Sequence, residues 1–309
     1  MTPSDALAAI ASFRELSTRS LNVNVFCHHP ATSNQSLEAT WLTHLGPEFE
    51  RFGTAPPVSM REIYKSFIHD EEMFAAIRSA APKVVSFHFG VPDEPWIRTF
   101  REAGITLLGT ATSVREARSM AKAGMHAIVA QGYEAGGHRG IFDPHGDDDQ
   151  LGTLPLTRLL ARELEIPVIA AGGIMDGAGI AAVLRLGASA AQLGTAFIAT
   201  NESAADDGYR AALFSNAAHN TVMTRAISGR PARCLANRFT LLGTMVEHKS
   251  IPHYPIAYDA GKALHAAAKR SGDHGYGAHW AGQGAPLARS MAAGALVATL
   301  MEELHAARA

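Results

Sequence analysis

The chain has 309 residues, of which 47% are hydrophobic and 18% are charged, so it can bury a large core and is neither disordered nor collagen-like. Lys and Arg number 27 and Asp and Glu 29, so the formal net charge is -2 and nucleic acid is not expected as a partner. The two cysteines, Cys27 and Cys234, lie far apart, which argues against a disulfide framework and indicates a reducing, cytoplasmic setting. No secretory signal or apolar stretch of membrane-spanning length is evident, so no membrane role is expected.

Short apolar runs alternate with longer Ala-, Leu- and Arg-rich segments, a pattern typical of βα units around a parallel sheet. Because each run is nearly continuous, the strands are expected to be covered on both faces. The predicted strands are 21–26, 83–88, 106–109, 127–130, 167–171 and 191–193. The predicted helices are 73–79, 94–103, 113–123, 156–165, 178–186, 258–269 and 285–304.

The strand spacing favours an α/β fold of the TIM-type βα-barrel class over a two-sided open sheet. Six strands are visible, whereas such a barrel closes with eight, so the barrel is expected to be incomplete. Residues 1–225 are interpreted as the barrel domain and 226–309 as a helical substrate cap. Prolines interrupt the alternation in 31–70, which predicts an inserted connection or lid.

Three glycine-rich turns follow predicted strands, at the end of the barrel where active sites lie. The first, 131–140, reads QGYEAGGHRG, and its glycines let backbone N–H groups approach a flat or anionic ligand. The other two follow the strands at 167–171 and 191–193, and each leads toward a helix N-terminus. Such a pair favours phosphate binding through free N–H groups and the helix dipole.

His138 is the candidate catalytic residue, because a histidine in a glycine-rich loop at a strand end can titrate near neutrality and face a ligand; a surface histidine is the alternative. His88 ends another strand and is either part of the same site or a buried structural histidine. The G-x-G-x-x-A pattern at 177–182 starts too late after its strand for a dinucleotide site. The His and Asp residues at 138–149 lack metal-ligand spacing, so no metal is expected.

Four motifs in this order resemble the nitronate monooxygenase family, formerly called 2-nitropropane dioxygenases. They are QGYEAGGHRG at 131–140, AAGGI at 170–174, QLGTAF at 192–197 and WAGQGAPLAR at 280–289, and the resemblance extends from Asn22 to Arg289. The resemblance implies a βα barrel that holds FMN without a covalent bond. It also implies oxidation of alkyl nitronates by O2 to a carbonyl compound and nitrite.

The resemblance also assigns site residues. The family's catalytic histidine falls on His138, which would act as a base toward a neutral nitroalkane or, as an imidazolium, stabilise charge on the nitro oxygens. The flavin contacts would fall on Asn24, Gln131, Gly136, Gly173, Gln192, Leu193, Gly194 and Thr195. Candidates for the substrate pocket are His88, Tyr133, Tyr254 and Lys262.

The chain departs from the family pattern at its start. Family members open with an Ala-Pro-Met turn and a Gly-rich second strand, and these two βα units are missing from the count of six. A barrel without them would expose strand edges and lose one wall of the flavin site. Three explanations stay open: a start site that is too late, a homodimer whose second chain covers the gap, or an inactive protein.

Two other functions compete with nitronate oxidation. The same fold would support an NAD(P)H-dependent reductase of quinones or enoyl thioesters. A truncated barrel would instead be a non-catalytic flavin-binding remnant. Flavin reduction by NADH without oxygen would indicate the first, and failure to take up FMN the second.

Overall fold

A computed structural model describes residues 1–308, which form two β-sheets and the helices around them. The strands are β1 (Asn22–Phe26), β2 (Val84–His88), β3 (Thr106–Ala111), β4 (Ala127–Gln131), β5 (Gly137–His138), β6 (Val168–Ala171), β7 (Ala190–Gln192), β8 (Thr221–Thr224) and β9 (Ala232–Leu235). The helices are α1 (Pro3–Leu16), α2 (Gln35–Arg51), α3 (Glu71–Ala80), α4 (Glu94–Glu102), α5 (Val114–Ala123), α6 (Thr153–Glu163), α7 (Gly177–Arg185), α8 (Asp207–Leu213), α9 (Arg238–Gly243), α10 (Ile256–Arg270) and α11 (Ala293–Arg308).

The main sheet is parallel throughout and has the order β1-β2-β3-β4-β6-β7. Helices connect its successive strands, and β1 and β7 are its two edges among the described residues. The prediction of an α/β fold of TIM-type βα units with six strands is confirmed, and every predicted strand matches within two residues. All strands of a parallel sheet end at the same edge, so the turns that follow them meet there.

The core between the main sheet and its helices explains why the strands are continuous apolar runs in the sequence. Ile77, Val85, Leu107, Ile128 and Leu156 are fully buried in this cluster. Full burial of such a side chain stabilises the fold by about 1.5–3 kcal/mol. The continuous apolar runs therefore correspond to strands that helices cover.

Four helices were not predicted from the sequence, namely α1, α2, α8 and α9. The segment 31–70, interpreted as an irregular insertion, contains the 17-residue helix α2 with Pro47 inside it. Trp41 and Leu45 of this helix are buried against Leu264 of α10, so α2 joins the C-terminal part of the chain. Another of the missed helices, α1, starts with a capping box formed by Thr2 and Asp5.

The second sheet is the other feature that the sequence pattern missed. It is antiparallel, with the order β5-β9-β8, and it attaches the histidine-containing strand β5 to a hairpin. The segment 226–309, predicted as a helical cap, therefore also contains a strand, β9. The predicted helix 285–304 begins later, at Ala293, after a short 3-10 turn that contains Pro286.

None of the helices within residues 1–308 has the length and hydropathy that a bilayer crossing requires.

Candidate active site

The ends of the main-sheet strands surround a cavity of about 360 Å³, which lies in the size range of small-molecule and cofactor sites. Both glycine turns after β6 and β7 and the histidine loop contribute to its walls. Of the residues predicted from the sequence, the cavity is lined by Asn24, His88, Gln131, Gly136, His138, Gly173, Gln192, Gly194 and Thr195.

Four predicted residues do not line this cavity. Leu193 packs with apolar side chains of two small clusters. Tyr133 stacks against a guanidinium group, and Lys262 lines a second cavity. Tyr254 reaches the site indirectly, because its ring centroid lies 5.2 Å from that of His138. The fold therefore does not bring Tyr133 or Lys262 to this cavity.

Gln131, the last residue of β4, hydrogen-bonds to the backbone of the loop that contains His138. Its Nε2 donates to the His138 carbonyl oxygen at 3.0 Å, and its Oε1 accepts from the Gly140 N–H at 2.7 Å. The amide retains a second N–H and a second lone pair, so the same side chain can also contact a ligand. His88 Nε2 lies 3.3 Å from the same carbonyl oxygen, which can only accept a hydrogen bond. Desolvation lowers the pKa of His88 to about 4, so its ring is neutral at pH 7.

A buried ion pair holds the chain that follows the histidine. Arg139 is 2% exposed, and its Nε and Nη2 both donate to the Asp148 carboxylate at 2.8 Å. Its Nη1 donates to the Gln131 carbonyl oxygen at 2.7 Å. The buried Glu116, in the first turn of α5, accepts from the Phe142 N–H at 2.8 Å. These contacts order the loop in spite of its four glycines.

The His138 side chain is half-buried and packs against aromatic rings. Its centroid lies 5.1 Å from the centre of the nearer Trp280 ring, and its Nε2 lies 2.9 Å from Ser228 Oγ. Desolvation lowers its pKa to about 3, and the neighbouring His88 and Arg230 add to the shift. The expectation that this imidazole titrates near neutrality is therefore wrong, because the surrounding protein disfavours the imidazolium. At pH 7 the ring is a neutral proton acceptor.

The glycine turns after β6 and β7 offer backbone donors to the cavity. Within residues 1–308, the N–H groups of Gly173, Gly194 and Thr195 make no hydrogen bond, and all three residues line the cavity. A Cβ at Gly194 would meet no protein atom within 4 Å, so the space beside this turn is open. Converging free N–H groups beside open space suit an anionic group such as a phosphate.

The helix that follows β6 is not available to an anion, which corrects the expectation from the sequence. Asp176 caps α7 by accepting from the Gly179 N–H at 2.8 Å, and Glu303 accepts from the Gly177 N–H at 2.9 Å. These two carboxylates occupy two of the first three N–H donors at the positive end of the helix dipole, and no residue of α7 lines the cavity. Any phosphate site therefore relies on the turns themselves.

The WAGQGAPLAR segment packs against the other three motifs. The Gly282 N–H donates to Thr195 Oγ1, and the Gln283 N–H donates to the Glu134 carbonyl oxygen, both at 2.9 Å. A Cβ at Gly136 would lie 2.4 Å from the Gly282 nitrogen, so only glycine allows this close approach. The four motifs thus form one structural unit around the cavity.

Sequence reasoning missed three polar residues that support the site. Ser86 Oγ donates to Asn24 Oδ1 at 2.8 Å, which leaves the Asn24 Nδ2 group free to donate. Arg230 is 2% exposed, and its guanidinium lies 3.9 Å from the Phe89 ring centroid. Ser228 contacts the candidate base. Strand alternation in β2 could have identified Ser86, whereas no local pattern marks the two residues between β8 and β9.

A parallel βα sheet with a cavity at its carboxyl end, an imidazole on one side and free backbone donors on another defines an enzyme of the βα-barrel class. The sequence model of the nitronate monooxygenase family matches residues 1–303. A nitronate monooxygenase of Paraburkholderia phytofirmans is 55% identical over 304 residues, which cover 98% of this chain and 83% of that protein. A nitronate monooxygenase of Pseudomonas aeruginosa is 47% identical, over 96% of this chain and 85% of that protein.

Solved structures show the same relationship. Nitroalkane oxidase from Streptomyces ansochromogenes superposes with a TM-score of 0.90 at 39% identity, covering 99% of this chain and 87% of that one. FabK from Thermotoga maritima superposes with a TM-score of 0.72 at 27% identity, covering 99% and 82%. The chain belongs to the nitronate monooxygenase family, so the resemblance of the four motifs is confirmed. Membership identifies it as an oxidoreductase and supports oxidation of nitronates.

Proposed function

We propose that this chain binds FMN in the cavity and oxidises alkyl nitronates with O2 to a carbonyl compound and nitrite. The observation that carries the proposal is the pairing, in one cavity, of free N–H groups at Gly173, Gly194 and Thr195 with the imidazole of His138. The turns suit the flavin phosphate, and the imidazole suits the reacting end of a substrate. When bound, FMN would supply the redox chemistry that takes electrons from the nitronate and passes them to O2.

The remaining contacts would orient the isoalloxazine ring. Asn24, held by Ser86, offers its Nδ2 donor, and Gln131 offers the N–H and lone pair that the loop does not use. Gly136 and Gln192, which line the cavity, would contact the ring or ribityl chain through their backbone. These residues hold a ligand by position and polarity, which is the protein's part in flavin chemistry.

His138 would receive a proton when the substrate is a neutral nitroalkane. The α-carbon proton of the nitroalkane would move to the neutral imidazole and leave the nitronate anion in the cavity. A nitronate that enters as an anion needs no such step. The imidazolium expected to stabilise the nitro oxygens is disfavoured before the anion binds, but a bound anion raises the pKa of the ring.

We also propose the division into a flavin-binding part, residues 1–225, and a substrate cap, residues 226–309. Tyr254 and Trp280 of the second part contact the His138 ring, which supports a role in covering the substrate. A homodimer stays a prediction, and light scattering of the purified protein measures it.

Three measurements on the purified protein test the proposed function. A flavin absorption spectrum after reconstitution with FMN shows whether the cofactor binds. Oxygen uptake and nitrite release with ethyl nitronate measure the reaction. Mixing with NADH without oxygen is the control, because rapid loss of flavin absorption would support an NAD(P)H-dependent reductase instead. Flavin binding without nitrite release would contradict the proposal.

His138→Ala tests the role of the imidazole. We expect the variant to keep its yellow colour but to lose about 10²- to 10⁴-fold in turnover of neutral nitroalkanes, the usual contribution of a general base. Turnover of the preformed nitronate should fall much less. Unchanged turnover of neutral nitroalkanes would remove His138 from the mechanism.

A further inference from the structure

Ser228 occupies a position that neither the motifs nor the proposed chemistry explains. It lies between β8 and β9 with its side chain fully buried, 0% exposed. Its Oγ lies 2.9 Å from His138 Nε2, 3.2 Å from the Arg230 carbonyl oxygen and 3.4 Å from the Arg230 nitrogen. The hydroxyl group therefore has three neighbours: an imidazole nitrogen, a carbonyl oxygen that can only accept a hydrogen bond, and a backbone N–H that can only donate one.

The hydroxyl has a single hydrogen, and the Arg230 carbonyl oxygen determines where it points. Arg230 is 2% exposed, and Ser228 is the one donor found for its carbonyl within residues 1–308. An unpaired buried carbonyl costs about 1–3 kcal/mol, so the hydroxyl hydrogen goes to this oxygen. The Oγ lone pairs then remain for the Arg230 N–H and for His138. Nε2 of the imidazole must consequently carry a hydrogen in order to make its contact.

A neutral imidazole has one N–H, so protonation of Nε2 leaves Nδ1 as the acceptor. Nδ1 of His138 makes no hydrogen bond within residues 1–308, and it is not among the buried polar atoms without a partner. The free nitrogen is therefore accessible rather than sealed in the protein, and the residue lines the cavity.

We propose that Ser228 is a positioning residue that holds His138 in the Nε2–H tautomer, with Nδ1 as the proton acceptor toward the cavity. The effect of the tautomer on catalysis rests on the proposed function, in which a neutral nitroalkane gives its proton to His138. The tautomer itself is a property of the protein and is measured without substrate.

Nitrogen-15 NMR of the histidine-labelled protein, reconstituted with FMN, tests the tautomer. At pH 7 the signal assigned to His138 by comparison with His138→Gln should show a protonated Nε2 and an unprotonated Nδ1. Ser228→Ala removes the hydrogen-bond partner of Nε2, so the Nε2 proton should exchange with water at least 10-fold faster than in the wild type. Ser228→Thr keeps the hydroxyl group, so the Nε2 proton should stay protected from exchange. A wild-type protein with the hydrogen on Nδ1 would overturn the proposal, with no variant needed.

Steady-state kinetics provide the second readout. We expect Ser228→Ala to lower kcat/KM for neutral nitroethane about 10- to 100-fold, by analogy with the loss seen when the hydrogen-bond partner of a metal-binding histidine is removed. Turnover of preformed ethyl nitronate should stay within about twofold, and Ser228→Thr should recover nitroethane turnover. Equal losses on both compounds, or no loss on nitroethane, would overturn the positioning role. If the wild type turns over neither compound, the proposed function fails while the NMR result still decides the tautomer.

Discussion

Filling the open space beside Gly194 is the sharpest test of the cofactor site. The backbone of this residue has φ -113°, which any residue adopts, and an added Cβ would meet no protein atom within 4 Å. Gly194→Leu should therefore leave the fold intact while its side chain extends into the cavity. Gly173 is a poorer choice, because it has φ +69° and its Cβ would lie 3.3 Å from a side-chain carbon of Glu134, so that substitution would strain the protein itself.

The expected loss of affinity follows from the contacts that the leucine would block. A hydrogen bond from a backbone N–H to a charged group contributes about 1.5–3 kcal/mol. Loss of one such bond at the turn corresponds to a roughly 10- to 100-fold higher Kd for FMN, since 1.4 kcal/mol is a factor of ten. Steric exclusion of the phosphate from both neighbouring donors would increase the effect.

The assay is titration of the apoprotein with FMN, followed by quenching of flavin fluorescence. Gly294→Leu is the matched control, because Gly294 is exposed, does not line the cavity and is also free of atoms within 4 Å of an added Cβ. Urea unfolding of the apoproteins should show that both variants are as stable as the wild type. If Gly194→Leu binds FMN as tightly as the control, the phosphate does not lie at this turn.

Three further predictions concern the protein around the site. Arg139→Met should lower the free energy of unfolding by about 3 kcal/mol because it leaves buried partners uncompensated, whereas Arg98→Met, at an exposed ion pair, should change it by less than about 1 kcal/mol in the same urea titration. Burial lowers the pKa of His279 from 6.5 to about 4, so the unfolded chain binds a proton that the folded protein does not, and stability falls as the pH drops from 6.5 toward 4. His279→Gln should remove about 1 kcal/mol of the loss measured between about pH 7.5 and 5.5; an unchanged pH dependence would contradict this. Burial raises the pKa of Cys27, and that of Cys234 to about 12, so neither thiol should react with a disulfide reagent until the protein unfolds.

The sequence predicted the parts of the fold that arise from local pattern. The six parallel strands are continuous apolar runs, and such runs identify strands covered on both faces. The helix α2 was missed because Pro47 lies inside it and prolines flank it, although Asn34 is a good N-cap. The second sheet was missed because its strands are short and β5 has only two residues. Its pairing depends on contacts distant in sequence.

The same distinction applies to the site. Glycine motifs at strand ends located the cavity, because the βα topology brings every strand end to one edge. The polar residues behind His138 could not be predicted, since Ser228 is 90 residues away in sequence and reaches it only through the β5-β9 pairing. The neutral state of the imidazole depends on these surroundings. Loop position predicted a pKa near neutrality for His138. That prediction is wrong because the fold buries the ring, and burial lowers its pKa.

Charge compensation and proton transfer fall to different residues in this site. None of the residues that line the cavity is Asp, Glu, Lys or Arg, so no acidic side chain opposes an anion there. Desolvation lowers the pKa of Arg230 to about 9, which still leaves it a cation at neutral pH, whereas His138 is neutral. Arg230 does not line the cavity, so in the proposed reaction its guanidinium would attract the negative charge of a nitronate only from behind the lining, without exchanging a proton. His138 would then be free to accept a proton from a neutral nitroalkane without first having to lose its own.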